Sequence, residues 1–327
     1  MSIISDIRAR AVKASRKIVL PESDDPRTVE ALNYILDNKI ANIILVGEEG
    51  VRSKIKAKDQ KGLEILDPKK YKEIDAVAND YYEMRKGKGM TPEEAAQTVR
   101  NDYLVFGAML VRRGTADGFV AGANHTTADT VRTALRCLRI DKSIGVVGGS
   151  FLMEVPDSPY GEKGSFIFAD CGVNPEPNAR QLAGIAVLSA NLFKQLVGKT
   201  PRVAFLSYSS KGSAEGPLVD KVKEAVARAR EISPEILIDG EFQVDSAIVP
   251  EVAKIKCDAS EVAGKANVLI FPDLNSGNIS YKLTQRLARA RAVGPLLMGF
   301  AKPASDLSRG CDVDDIIDAV AVTAIRV

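Results

Sequence analysis

Residues 117–132 read Asp-Gly-Phe-Val-Ala-Gly-Ala-Asn-His-Thr-Thr-Ala-Asp-Thr-Val-Arg, and this stretch shows the pattern that decides the fold. A short apolar run at 118–121 leads into a polar turn, and the turn leads into a helix start that Thr126 or Thr127 can cap. A buried strand, a turn and a helix in this order form the repeating unit of a parallel sheet covered by helices.

The same alternation continues along most of the chain. Strand candidates are 17–20, 41–46, 118–121, 144–155, 165–169, 203–207, 236–238, 268–271 and 296–300. Helix candidates include 29–37, 70–86, 92–101, 128–138, 179–197, 218–231, 279–292 and 313–325. Thr91 and Glu94 form a capping box pattern. We therefore predict an α/β fold with parallel-rich, helix-covered sheets.

Residues 145–176 interrupt the rhythm, because two strand-like runs follow one another with only the turn-rich segment 156–161 between them. This pattern predicts an antiparallel hairpin added to a parallel sheet. The chain has 327 residues, and single cores stop growing at about 250–300 residues. We predict a first domain of 1–141 plus 302–327, with the last helix returning to it, and a second domain of 142–301.

Composition excludes several classes of function. The 45 basic and 43 acidic residues are interleaved, so we expect neither a nucleic acid nor a membrane as partner. The four cysteines, at 137, 171, 257 and 311, are isolated and have no histidine at metal-ligand spacing. We expect no metal site, and this cysteine usage is typical of a cytoplasmic protein. The first residues given do not show the pattern of a secretory signal, so we expect none, and no apolar run reaches 18 residues.

Ligands of open α/β sheets bind beyond the carboxyl ends of the strands, so the loops there are the candidate sites. The loop after 203–207 could hold an anion or be a solvated polar turn; its candidate residues are Ser207, Ser209, Ser210, Lys211, Gly212 and Ser213. It is not a P-loop, because the spacing Gly-x-x-x-x-Gly-Lys is absent. The loop after 268–271 carries Asn275 and Asn278, which suit either substrate positioning or an ordinary Asx-rich turn.

Two further strand ends carry polar groups. The only histidine, His125, lies in the turn of the opening stretch, where a hydrogen-bonding structural role is commoner than a catalytic one. Residues 305–316 read SDLSRGCDVDDI, and the carboxylates at 312–315 suit the first turn of the final helix. That structural role does not explain Ser308 and Arg309 just before them. We expect the four loops to converge on one cleft.

Seven ordered segments together resemble the phosphate acetyltransferase family: LPESDDPR at 20–27, YYEMRKGKGMTPEEA at 81–95, DGFVAGANHTTADTVR at 117–132, FLSYSSKGSAEGPLVDKV at 205–222, IDGEFQVDSAIVPEVA at 238–253, NVLIFPDLNSGNISYKLTQRLA at 267–288 and FAKPASDLSRGCDVDDI at 300–316. The resemblance covers nearly the whole chain. It implies two α/β domains with an active site in the interdomain cleft, a homodimer, and no metal or tightly bound cofactor.

The same resemblance assigns roles to individual residues. It places the catalytic serine, arginine and aspartate at Ser308, Arg309 and Asp315, and the CoA-binding arginines at Arg85 and Arg132. A further arginine of the family falls on Arg286, which we assign with less definition to substrate binding. The implied substrates are CoA or acetyl-CoA, acetyl phosphate and phosphate. Phosphate could lie against 207–213, an inference from loop chemistry alone.

In the implied chemistry a carboxylate, rather than a histidine, serves as the general base, so the chain can be an enzyme with a single histidine. A thiol has a pKa of about 8.5, so CoA must lose its proton at the moment of attack on acetyl phosphate. A partly buried carboxylate with a raised pKa can accept that proton, which would be the role of Asp315. Arg309 and Ser308 would stabilise the oxygen that gains charge. We expect direct transfer in a ternary complex, with a covalent route through Cys311 as the alternative.

Three other functions are compatible with parts of the sequence. Phosphate butyryltransferase, or another acyl relative, would use the same residues with a larger acyl pocket. A CoA-binding regulatory module without turnover would predict loss of the catalytic residues, and all three are present. An NAD- or metal-dependent oxidoreductase is disfavoured, because no Gly-x-Gly-x-x-Gly follows an early strand and no metal-ligand cluster is apparent.

Overall fold

The computed structural model describes residues 2–327, which form two compact units. One unit consists of Ile4–Ile140 with Phe300–Val327. The other consists of Asp141–Gly299 with the N-terminal residues as far as Ile3. We retain the domain limits expected from the sequence, 1–141 plus 302–327 and 142–301, as a proposal. Among the helices of residues 2–327, none is both long enough and apolar enough to cross a membrane.

Strands and helices alternate along the described chain. The strands are β1 Lys17–Leu20, β2 Asn42–Val46, β3 Leu63–Leu66, β4 Gly118–Ala121, β5 Gly148–Glu154, β6 Ser165–Ala169, β7 Arg202–Leu206, β8 Leu237–Phe242, β9 Val268–Ile270, β10 Arg291–Met298 and β11 Ala304–Asp306. The helices are α1 Ile3–Ala14, α2 Pro26–Asp37, α3 Ile74–Arg85, α4 Pro92–Asn101, α5 Tyr103–Arg113, α6 Thr127–Cys137, α7 Ala179–Val197, α8 Pro217–Ile232, α9 Val244–Ile248, α10 Pro250–Lys256, α11 Leu274–Leu287 and α12 Val313–Ile325.

The unit built from both ends of the chain contains a parallel sheet in the order β3-β2-β1-β4-β11. The chain runs from β1 outward to β2 and β3, and later returns to place β4 on the other side of β1. This reversal makes the carboxyl ends of β1 and β4 a topological switch point, where ligands bind in open α/β sheets.

The central strands of this unit are apolar because helices cover them. Ile18, Val19 and Phe119 have no exposed surface, and α5 and α12 both pack against β1 and β4. Strands buried on both faces need apolar side chains at successive positions, so they show runs rather than alternation. The predicted parallel, helix-covered sheet is confirmed.

The second unit contains a mixed sheet in the order β10-β5-β6-β9-β7-β8. From β6 to β8 the neighbouring strands are parallel, whereas β5 pairs antiparallel with both β6 and β10. The antiparallel hairpin predicted within 145–176 is therefore confirmed. Helix α7 packs against β6 and β9; its N-terminus is capped by Asn178 and its C-terminus ends at Gly198, with φ of 70°.

Local signals located most elements. The helices predicted at 92–101, 179–197 and 313–325 are confirmed with the same bounds, and the capping box of Thr91 and Glu94 is present. The predicted helix at 279–292 was wrong at both ends. The Asp273 carboxylate caps α11 earlier, since it accepts the Ser276 N–H, and residues from Arg291 pair with β5. Pairing with a neighbouring strand outweighs local helix propensity there.

We predict that Gly122→Ala destabilises the fold. Gly122 follows β4 with φ of 112°, and an added methyl group would overlap Oδ1 of Asp306 and lie 2.7 Å from the backbone nitrogen of Leu307. Strain and overpacking of this kind cost about 1–3 kcal/mol each. Urea unfolding of the purified variant measures the loss. Gly50→Ala is the matched control, because nothing lies within 4 Å of its added methyl group; equal stability of the two variants would contradict the prediction.

Candidate active site

A buried carboxylate organises the switch point between β1 and β4. Glu22 follows β1 and is only 2% exposed. Its Oε2 accepts the N–H groups of Gly122 and Ala123 at 2.9 and 2.8 Å, and its Oε1 accepts those of Asn124 and His125, both at 3.1 Å. Four charge-assisted hydrogen bonds thus offset the cost of burying the charge and hold the turn after β4 against the end of β1.

His125 has the structural role that the sequence favoured. Its Nδ1 lies 2.7 Å from Oε1 of Glu22, in the same cluster as the four backbone donors. The adjacent helix α6 is capped by Thr126, whose hydroxyl group accepts the Asp129 N–H and donates to the Asp129 carboxylate at 2.6 Å. That hydrogen bond from Thr126 is the main cause that lowers the pKa of Asp129.

Arg27 ties three loops together. Its guanidinium group donates to both carboxylate oxygens of Asp25, from Nε at 3.0 Å and from Nη2 at 2.7 Å. The same group donates to the carbonyl oxygens of Arg309 and Cys311, both at 2.8 Å, and to that of Ala123 at 2.6 Å. The five donors of one planar group therefore link the segments after β1, β4 and β11.

The segment after β11 presents Ser308 and Arg309 on a tight turn. Both residues are exposed, whereas Cys311 is buried. The Ser308 hydroxyl group accepts the Gly310 N–H at 3.2 Å, and the Ser308 carbonyl accepts the Cys311 N–H at 2.8 Å. Because Arg27 binds the carbonyls on both sides of Gly310, the backbone of this turn is held in place while its two functional side chains remain accessible.

Asp315 lies at the start of α12 and takes part in its cap. The Asp312 carboxylate accepts the Asp315 N–H at 2.8 Å, and Oδ2 of Asp315 accepts the Asp312 N–H at 3.0 Å. Asp315 is half-buried. The structural role suggested for the carboxylates at 312–315 is therefore present, and it fixes the Asp315 carboxylate at the positive end of a helix, next to the Ser308–Cys311 turn in the chain.

Burial decides the state of the nearby thiol. Cys311 is 6% exposed, and burial is the main cause that raises its pKa to about 11, while Arg27 acts in the opposite direction. The thiol is thus neutral at pH 7 and is a poor nucleophile.

The predicted CoA-binding arginines belong to the same unit. Arg132 is half-exposed, pairs with Asp129 at 2.9 Å, and lines a cavity of about 580 Å³. Other residues of this cavity come from the segment after β1, the start of α5, the turn after β4, and α6; they include Asp24, Tyr103, His125 and Arg136. Arg85 ends α3, is half-buried, and has a buried Nε without a hydrogen-bond partner among residues 2–327.

The loop 207–213 belongs to the other unit, and its polar groups already have protein partners. Lys211 lies 2.6 Å from Asp239, and the Ser209 hydroxyl group and the Gly212 N–H donate to Glu241, both at 2.8 Å. Burial raises the pKa of Asp239, but hydrogen bonds from Lys211 and Ser260 outweigh it, so the pKa is lowered. A phosphate would have to compete with two carboxylates here, and the phosphate assignment remains a prediction.

The remaining candidates of this unit lie on α11. Asn275 is exposed in its first turn, and Arg286 is exposed in its last. Asn278 donates from its side chain to the carbonyl of Cys171 at 3.2 Å. Asn278 therefore has a structural contact, whereas Asn275 and Arg286 are accessible to a ligand.

Sequence reasoning missed three ionisable residues that pack around the candidate site: Glu22, Arg27 and Asp306. All three lie in segments that the resemblance contains, but a charged residue after a strand looks like ordinary loop chemistry in a single sequence. The available signal was position. Glu22 is the second residue after β1, and Asp306 is two residues before Ser308.

Comparison with known proteins agrees with this arrangement. The family described as phosphate acetyl/butaryl transferase matches residues 2–324. A phosphate acetyltransferase of Thermoanaerobacterium thermosaccharolyticum is 50% identical over 327 residues, covering 100% of this chain and 99% of that protein. A phosphotransacetylase structure from Streptococcus pyogenes superposes with a TM-score of 0.92 at 41% identity, covering 99% of this chain and 97% of its own. The structure of the EutD phosphotransacetylase from Staphylococcus aureus superposes with a TM-score of 0.88 at 38% identity, covering 99% of this chain and 98% of its own. The chain therefore belongs to the phosphate acetyl/butaryl transferase family.

Proposed function

We propose that the chain is a phosphate acetyltransferase, which transfers an acetyl group reversibly between CoA and inorganic phosphate. The observation that carries this proposal is the exposed Ser308-Arg309 turn, held by Arg27 at the carboxyl edge of a parallel sheet. It occurs in a chain 50% identical over its full length to a protein named phosphate acetyltransferase.

In the proposed mechanism the Asp315 carboxylate accepts the thiol proton of CoA, and the sulfur attacks the carbonyl carbon of acetyl phosphate. The π electrons of that carbonyl move to its oxygen. When they return, the bond from carbon to the phosphate oxygen breaks and phosphate leaves. Arg309 and Ser308 stabilise the negative charge on the carbonyl oxygen and on the departing phosphate. The reverse direction uses the same groups, with Asp315 returning the proton to sulfur.

The state of Cys311 supports direct transfer in a ternary complex over an acyl-enzyme route. A thiol with a pKa of about 11 is almost entirely protonated at pH 7, and it is buried. The contact of its carbonyl with Arg27 gives Cys311 a structural reason to occupy this position.

We assign CoA binding to Arg85 and Arg132. The cavity beside Arg132 has room for part of a nucleotide, and the cations Arg132 and Arg136 line it. Phosphate is the proposed ligand of Ser207, Ser209, Ser210, Lys211, Gly212 and Ser213, and Asn275, Asn278 and Arg286 are the proposed substrate contacts of α11.

A cytoplasmic homodimer without a tightly bound cofactor completes the proposal. Ile279, Leu283 and Leu287 recur every four residues on α11 and are each more than half exposed. Residues at this spacing share one helix face, and such an apolar stripe supports association through it. Sedimentation equilibrium that returns the mass of one chain would contradict the dimer.

We predict that Arg309→Ala lowers kcat without unfolding the protein. The guanidinium group is a preorganised donor to the developing oxyanion, and removal of one such donor costs about 10²–10³-fold in kcat. Phosphate-dependent release of CoA from acetyl-CoA, followed with a thiol reagent, measures the effect. Arg228→Ala is the control, because Arg228 is an exposed partner of Glu224 in the other unit. Turnover by wild type with butyryl-CoA alone would move the assignment to a butyryl transferase, and CoA binding without any turnover would indicate a regulatory module.

We predict that Asp315→Asn loses proton transfer but keeps the helix cap. The amide oxygen can still accept the Asp312 N–H, so the melting temperature stays close to that of wild type. Loss of a general base lowers kcat by about 10²–10⁴-fold. The control is Asp314→Asn, which removes a neighbouring exposed carboxylate that pairs with Arg8. If both variants keep wild-type kcat, Asp315 is not the base.

We predict that Arg132→Gln raises KM for CoA while kcat changes little. Arg132 is assigned to a part of CoA remote from the sulfur, where binding is the same in the ground and transition states. Initial rates at varied CoA and fixed acetyl phosphate measure KM. A fall in kcat with unchanged KM would place Arg132 at the reacting groups instead.

A further inference from the structure

Asp306 is a buried ionisable side chain that the mechanism does not use. It is the last residue of β11, opposite Ala121 of β4, and it has no exposed surface. Neither of its carboxyl oxygens has a partner in hydrogen-bonding geometry among the residues that the structure describes, although the hydroxyl groups of Thr127 and Thr130 and the N–H of Leu307 lie close enough to act on it. A carboxylate ion in such a place would lack water and well-aligned donors, which costs far more than burial of a neutral carboxyl group.

The carboxyl group of Asp306 lies at the junction of two functional loops. Its Oδ1 occupies the space that a side chain on Gly122 would need, and the backbone of Leu307 fills the rest of that space. The turn after β4, which Glu22 holds, therefore rests directly on the start of the segment that carries Ser308 and Arg309. The two turns can approach this closely because Gly122 has no side chain and the carboxyl group of Asp306 is compact.

Burial and the nearby Glu22 carboxylate oppose ionisation of Asp306. Glu22 after β1 is the charged group that acts on Asp306. The helices α6 and α12, which pack against β11, also carry ionisable groups, but Asp129 pairs with Arg132 and Asp318 pairs with Arg8. Burial is the largest effect and raises the pKa of Asp306 to about 7; Thr127, Thr130 and the Leu307 N–H lower it, and Glu22 raises it further.

We propose that Asp306 is a positioning residue for acetyl transfer, and that its neutral carboxyl group seats the Ser308–Cys311 turn on the turn after β4. This inference rests on the proposed function. Ionisation would place a second negative charge near Glu22 in a buried space, and the two turns would move apart to admit water. Arg309 would then lose its alignment with the reacting carbonyl group, although it would still be present and charged.

The number of protons bound to Asp306 in the folded and unfolded states decides how the free energy of unfolding changes with pH. Between pH of about 4 and about 7 an unfolded chain has Asp306 ionised, whereas the folded protein keeps it protonated. The folded state binds more protons in this window, so this group lowers stability as pH rises through it, with no further change above about pH 7. An asparagine at this position has the same shape and no such dependence.

The experiment compares wild type, Asp306→Asn and the matched control Asp318→Asn between pH 5 and 9. Asp318 is also buried in this unit, but its carboxylate pairs with Arg8 at 2.6 Å. We expect kcat of Asp306→Asn to equal that of wild type near pH 6. Above pH 7 the ratio of variant kcat to wild-type kcat should rise about tenfold per pH unit, because the amide cannot ionise. KM for CoA should be unchanged, and Asp318→Asn should follow wild type.

Each result decides the proposal. Superimposed profiles of kcat against pH for wild type and Asp306→Asn would overturn it. A folded Asp306→Asn that binds CoA but is inactive at every pH would also overturn it, because Asp306 would then act as a charged or proton-accepting group. If wild type itself transfers no acetyl group, the proposed function fails. Melting temperatures against pH still decide the state of Asp306 in that case: a gain of Asp306→Asn over wild type from pH 5 to 7 supports the neutral carboxyl group, and parallel curves contradict it.

Discussion

The functional end of this unit depends on one buried carboxylate and the backbone groups around it. Glu22 collects four N–H groups of the turn after β4, so a charge that would otherwise oppose folding becomes the group that shapes the turn. The turn then sets where α6 begins, and α6 carries Arg132. Gly122 is required because this turn also touches the segment after β11. One interaction at a topological switch point thereby orients both the helix for which we propose CoA binding and the loop for which we propose catalysis.

Arg27 holds the backbone of the Ser308-Arg309 turn in the way that Glu22 holds the turn after β4. Its contacts to the carbonyls of Arg309 and Cys311 bind the backbone, which leaves the side chains of the turn for substrate. A catalytic cation is effective when its position is set before the reaction, because no binding energy is then spent on orienting it. The capping box at the start of α12 likewise holds the Asp315 carboxylate in one place before the reaction.

Two carboxyl groups of this unit show how environment, rather than residue type, decides charge. Glu22 is buried with four backbone donors in hydrogen-bonding geometry, and Asp306 is buried with none in such geometry among residues 2–327. A low dielectric strengthens hydrogen bonds that are made and penalises charges that lack them. The two groups are neighbours, so a charge on one disfavours a charge on the other. The thiol of Cys311 follows the same rule and stays protonated.

The sequence by itself determined the α/β class and most strands and helices, because apolar runs and caps are local properties. Its ordered motifs also predicted a catalytic role for the segment with Ser308 and Arg309, which stays a prediction. It did not predict β11, since Ser305 and Asp306 look like loop residues. Their burial arises when β11 pairs with β4 and packs against α6 and α12, where Ser305 forms a hydrogen bond with Thr323. Nor could it assign Glu22 and Arg27, whose partners lie about 100 and 280 positions away in the chain. Local chemistry selects the elements, whereas the contacts that fix the site and its protonation exist only once distant loops meet in the folded structure.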